Sequence, residues 1–138
     1  MPLTNATKAR LLNGLYGNTA VAPAANLFVA LSTTTPTATG GNFTRPVGGA
    51  YADVEVTNNA TNWPAATDAD PSVKSNGTEV VFPEATASWG EITHWGVAET
   101  ADGTVVDWAP LDVAKTVDEG DTAKFEVGEL KTQLQNPA

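Results

Sequence analysis

The chain has no cysteine, one histidine and one methionine among its 138 residues. Without cysteine it has no disulfide framework, no thiolate nucleophile and no Cys-based zinc site. One histidine also rules out a centre built on several imidazoles. Charge is scarce. Charged residues make up 17% of the chain, against ~25% in an ordinary globular domain. Long apolar runs are missing too, and no window approaches the ~20 residues that cross a bilayer. The opening stretch "MPLTNATKARLL" lacks a basic segment followed by a long apolar one, so it does not read as a secretory signal. A product made in the cytoplasm, and staying there unless assembled into something larger, is expected.

The charge that is present leans one way. Sixteen acidic residues face seven basic ones, a net −9. Affinity for nucleic acid comes first from Lys and Arg displacing counterions from phosphates. An acidic surface therefore excludes nucleic acid as a partner, and an anionic membrane surface for the same reason. Its plain consequence is solubility. Thr, Ala, Asn and Gly supply the uncharged polar surface seen in many β-rich contact proteins.

One helix is expected, over about residues 4–16. Thr4 or Asn5 serves as N-cap, and Gly14 or Gly17 as the stop. Leu11, Leu12 and Leu15 form its apolar stripe. So short a helix is unstable alone, so these leucines should dock it on a sheet or a neighbouring subunit. The rest, residues 26–134, reads as strands and loops. Strand segments are "NLFVALST" (26–33), "YADVEVT" (51–57), "EVVFPEAT" (79–86), "GEITHWGVAE" (90–99), "GTVVDWAPL" (103–111) and "AKFEV" near the C-terminus. "TADG" makes a hairpin turn, and Glu119-Gly120-Asp121 another. Two long loops, 33–50 and 58–77, interrupt the strands, and loops of that length are commonly functional or mobile. With no internal repeat and no linker, residues 1–138 read as one mainly β domain, a β-sandwich or jelly-roll-like fold.

Candidate chemistry is sparse. His94 lies in "SWGEITHWGV" with Ile92, Gly96 and Ala98 on its strand face and Thr93, Trp95 and Val97 on the other. Neither face is clearly polar, which predicts a buried imidazole with one hydrogen-bond partner. "DADPSVKSNGTE" puts Asp68, Asp70, Ser72, Lys74, Asn76 and Glu79 on calcium-loop positions, but Val73 stands where the template needs glycine and Pro71 interrupts the turn. Trp63, between Asn62 and Pro64 in a loop, is the tryptophan expected to stand exposed. Beside acids such as Glu91 and Asp107, tryptophans suit either a sugar-binding face or core and subunit contacts. No catalytic, cofactor or metal residue is assigned, and the protein is expected not to be an enzyme.

The order of pieces resembles a known family. "ARLLNGLYGNTAVAPAANLFVALSTTTPT" reads as helix, small-residue linker and strand. "VGGAYADVEVT" and "EVVFPEATASWGEITHWGVAE" follow, and the end, Trp108 to Phe125, has the form W-x-x-L-x-x-x-K-T-V-x-x-G-D-x-x-K-F. This is similar to a family of small structural proteins of tailed-bacteriophage virions, labelled head-decoration, minor tail or tail-fibre proteins. The resemblance implies a non-enzymatic protein on the outer surface of the particle, made in the host cytoplasm. Its leading form is a decoration or cement protein bridging capsid subunits. The alternatives are a tail, baseplate or tail-fibre component, and a carbohydrate-binding adhesion module. Implied partners are the major capsid protein or tail proteins of the same virion, with homo-oligomerisation. Phe43, Arg45 and Trp63 are the expected partner contacts.

Overall fold

A computed structural model describes residues 3–137. Helix α1 (Asn5–Leu15) is followed by β1 (Asn26–Ser32), β2 (Val54–Thr57), β3 (Ser72–Ser75), β4 (Val80–Val81), β5 (Gly90–Ala98), β6 (Val105–Val117), β7 (Lys124–Phe125) and β8 (Lys131–Leu134). The mainly β, sandwich-like expectation is met. β1, apolar from Leu27 to Leu31, takes an interior place in a four-stranded antiparallel sheet ordered β2-β1-β5-β6. Two two-stranded ribbons, β3-β8 and β4-β7, complete the strand set among the described residues.

The core lies on one face of the large sheet. Val29 pairs with Val97 and Leu31 with Trp95, and these four pack with Val80, Phe82, Trp89, Ile92 and Leu130. Aromatic rings interlock there: Phe125 meets Phe82 at 6.2 Å and Trp95 at 6.5 Å between centroids, and Tyr51 meets Trp89 edge-on at 5.1 Å. Burial at this density is the main stabilising term, ~25 cal/mol per Å² of apolar surface.

Simple alternation fails at one point, with consequences for His94. From Ile92 to His94, β5 advances two residues while its partner β6 runs from Lys115 back to Pro110. Leu111–Ala114 therefore bulge out of the ladder. Across this irregularity Ile92 joins Trp95 and Val97 in the core, not the face of His94 as strict alternation had it. A bulge re-aims side chains in this way, and with Pro110 it also blunts an edge strand against unwanted pairing.

The expected turns are present. Gly103 N–H donates to the Thr100 carbonyl at 3.0 Å, closing the β5-β6 hairpin, and Gly120, with φ +88°, makes the turn before β7. Several bounds move. "YADVEVT" pairs only from Val54, the 79–86 segment is a strand only at Val80–Val81, and β6 runs on to Val117. The long loop 58–77 ends in β3, which pairs with β8.

Candidate functional site

His94 is 9% exposed. Its Nδ1 lies 2.8 Å from the Thr93 hydroxyl, and Trp108 meets its ring edge-on at 5.7 Å. Burial pushes the imidazole below its ordinary value of 6.5, favouring the neutral form. The residue is a buried imidazole with a hydroxyl partner, as its sequence setting predicts.

The face carrying His94 is covered by the loop 33–50 and by the start of α1. A Cβ added at Gly96 would meet Phe43 Cε2 and Val105 Cγ1 at 2.7 Å, so the missing side chain is what lets Phe43 sit on the sheet. The loop is laced together. Ser32 Oγ donates to the Thr34 carbonyl at 2.8 Å and accepts from Thr44 N–H at 3.0 Å, while Trp108 Nε1 donates to the Thr37 carbonyl at 3.1 Å.

Arg45 anchors this loop. Its guanidinium lies 5.1 Å from the centre of the Phe43 ring. Nε donates to both oxygens of Asp53, at 3.0 and 3.1 Å, and Nη2 to the Gly103 carbonyl at 2.9 Å. Asp53, its side chain 2% exposed, also accepts from the Tyr51 hydroxyl at 2.8 Å and from Asp102 N–H at 3.1 Å. Tyr51 in turn accepts from Leu31 N–H at 2.9 Å, covering the edge of β1 beyond the reach of β2. Burial pushes the Tyr51 phenol well up, so it stays protonated. Of the expected partner contacts, Phe43 and Arg45 are thus engaged within the chain. The alternation of "YADVEVT" placed Tyr51 and Asp53 on one face, but nothing in the sequence named Arg45 as their partner.

Trp63 is no exposed anchor. It is half-buried against the core, and its backbone N–H donates to Asn59 at 2.9 Å. The calcium-loop spacing is not realised either. Residues 72–75 are strand, and the Asn76 amide is fully engaged, donating to the Thr78 and Glu126 carbonyls at 2.8 and 2.9 Å and accepting from Leu130 N–H at 3.0 Å. No group of three or more His, Asp or Glu side chains able to hold a metal ion occurs among the described residues. Asp107, 5% exposed, accepts from the Thr132 hydroxyl on Oδ2 while Oδ1 finds no partner there. Burial pushes its carboxyl up.

Among the described residues, two surfaces stand open to solvent. The first is the N-terminal arm. Thr4 caps α1, and the helix is tied to the body near its start, by Thr4 N–H and the Thr7 hydroxyl to the Val106 carbonyl at 3.0 and 2.9 Å, and by Arg10 to Glu99 at 2.6 Å. Leu11, Leu12 and Leu15, expected to dock it on a sheet or on a neighbouring subunit, do not dock it on the chain's own sheet: they are 41%, 60% and 75% exposed. Tyr16 and Val21, which sequence reasoning did not single out, extend this apolar surface; Val21 folds back onto Gly14. The second is a cleft of about 810 Å³ between the later half of β6 and the segment 121–131. Its lining is mixed: Leu111, Val113 and Phe125 stand among the charged side chains of Asp112, Lys115, Asp121, Lys124, Glu129 and Lys131.

These features define a class: a small β-sandwich-like protein with an acidic net charge, an internally braced loop and an apolar helix face open to solvent. A family model described as podophage GP4 fiber I protein gp80 matches residues 2–133. The chain belongs to that family of tailed-phage fibre proteins. The description favours the tail-fibre alternative over the capsid-decoration reading that the sequence pieces had put first. No curated protein matches the chain. No helix among the described residues is long and apolar enough to cross a membrane.

Proposed function

We propose that the chain is a non-enzymatic structural component of a podophage tail fibre, held on the outside of the particle by contacts with other virion proteins. The observation that carries this reading is the extent of the family match, residues 2–133 of 138. It covers the sandwich and the arm together, so the fibre description bears on the whole fold. The exposed leucines of α1 supply a surface for assembly, and the net charge of −9 keeps the protein off packaged nucleic acid.

Gold-labelled antibody against the protein, viewed on intact particles by electron microscopy, tests the placement. Label confined to the tail fibres is expected. Label spread over the heads would return the protein to capsid decoration, and unlabelled particles would end the virion reading.

A further inference from the structure

The cover over His94, the one histidine of the chain, is built from a stretch without acids. The first 52 residues contain no Asp or Glu and carry Lys8, Arg10 and Arg45. They supply the loop 33–50, the start of α1 and strand β1. The neighbours of the imidazole are Ser32 on β1 and Trp108 on β6, and the loop fastens to both. Thr44 N–H donates to Ser32 Oγ, and Trp108 Nε1 to the Thr37 carbonyl. Asn5 N–H adds a third tie, to the Ala38 carbonyl at 2.9 Å, and Phe43 rests on Gly96. No carboxylate lies within ion-pair distance of the imidazole among the described residues. On β6, Asp107 bonds Thr132 on the core side, and Asp112 and Lys115 lie beyond Pro110 at the bulge. On β5, Glu91 is exposed and Glu99 holds Arg10, while Arg45 of the loop is paired with Asp53. A proton gained by His94 under this cover is a buried charge without a counter-charge.

Within itself the loop is stiff. The Thr34 hydroxyl donates to the Asn42 carbonyl at 2.6 Å, and the Asn42 amide to the Thr35 carbonyl at 2.8 Å. Residues 34–44 thus form one unit, hinged between Ser32 at one end and Arg45, fixed to Asp53, at the other. We infer that this unit is a pH-sensitive flap, which protonation of His94 lifts off the sheet while the core face stays packed. Lifting lets water reach the imidazolium and uncovers Trp108 and the surface over Gly96. The core lies on the opposite face of the sheet and depends on none of the three ties. Burial sets the direction of the effect. With the flap closed, His94 holds its proton less tightly than its ordinary value of 6.5 allows; with it open, the imidazole titrates as usual. The open form therefore gains as pH falls past 6.5, and stops gaining once the closed form is protonated too. Asp107, raised above its ordinary 3.8, acts with the opposite sign and cannot mimic this response.

Nuclear magnetic resonance on the wild-type protein tests it, following the His94 ring and hydrogen exchange in one pH series. With rates corrected for the intrinsic effect of pH, protection at Thr44 N–H and Trp108 Nε1–H is expected to fall about tenfold between about pH 7 and about pH 5. The fall should track the His94 titration, and the amides of the β1-β5 ladder should keep their protection. His94→Gln, uncharged at every pH, should flatten the response at both protons. Flap protection that stays constant while His94 takes up its proton overturns the inference. So does a fall shared by the β1-β5 ladder, which would be unfolding of the sheet, or a response that survives in His94→Gln. If the glutamine variant does not fold, the comparison of flap with ladder in the wild type still decides. None of these results bears on where the protein sits on the particle, which the gold label reads.

Discussion

Arg45 and Asp53 show how a single pair can hold a loop without any ligand. The Asp53 carboxylate is buried and takes hydrogen bonds from Arg45, Tyr51 and the Asp102 backbone. Removing one partner leaves a charge out of water without its counter-charge, which costs far more than the pair contributes when intact. Arg45→Ala is expected to destabilise the protein by about 3 kcal/mol in urea unfolding. Arg45→Lys should recover only part of this, because an ammonium cannot reach both Asp53 and the Gly103 carbonyl as the guanidinium does. A loss below about 0.5 kcal/mol for the alanine variant would mean the pair contributes as little as an exposed surface bridge. His94 and Asp107 titrate with opposite effects. The folded value of His94 lies below its ordinary 6.5, so the unfolded chain binds more protons as pH falls past 6.5, and His94 then lowers stability. The folded value of Asp107 lies above its ordinary 3.8. The folded state therefore binds more protons in that window, and the buried carboxylate lowers stability once pH has risen through it. Asp107→Asn should raise Tm at pH 7, and the advantage should shrink as pH is lowered toward 4. An advantage that does not change with pH would assign the effect to packing.

The elements that could be read in the sequence are those whose burial follows simple periodicity. β1 and β5 were legible because their apolar runs sit inside the sheet, and the β5-β6 hairpin because "TADG" is a turn in its own right. β3 and β8 were not. "SVKS" and "KTQL" carry no apolar alternation and are strands because they find each other across the chain, Ser72 opposite Leu134 and Ser75 opposite Lys131. The face of Ile92 was misread because the bulge at Leu111–Ala114 belongs to the partner strand. The site was less legible than the fold. The leucines of α1 were found, but their exposure depends on where the helix ends meet β6, which no periodicity encodes. Gly96 gives an element-level prediction. Its alanine variant has no room for the new methyl against Phe43 and Val105, so the loop 33–50 must lift or the sheet must shift. A cost of about 1–3 kcal/mol is expected, with faster amide hydrogen exchange at Thr33, whose N–H donates to the Thr44 carbonyl, and at Thr44, whose N–H donates to Ser32 Oγ. Unchanged exchange there would show that Phe43 does not hold the loop down. Thr4→Ala, by contrast, should cost about 1 kcal/mol through the lost helix cap.

At the scale of the whole molecule, the excess of acid over base, sixteen acids against four lysines from residue 53 on, predicts how stability responds to salt. Sixteen acids from residue 53 on repel one another in the folded body, and that repulsion is screened as the Debye length shrinks from ~30 Å at 0.01 M to ~8 Å at 0.15 M. Stability of the fold should therefore rise with added NaCl. Tm at neutral pH should increase steadily between about 10 and 300 mM NaCl, conditions spanning roughly the screening range above. A Tm that stays level over that range would mean that the acids lie too far apart, or are too well solvated, for their repulsion to reach the fold. A Tm that falls would mean that attractive pairs such as Arg45 with Asp53 and Arg10 with Glu99 outweigh the repulsion, since screening weakens attraction as it weakens repulsion.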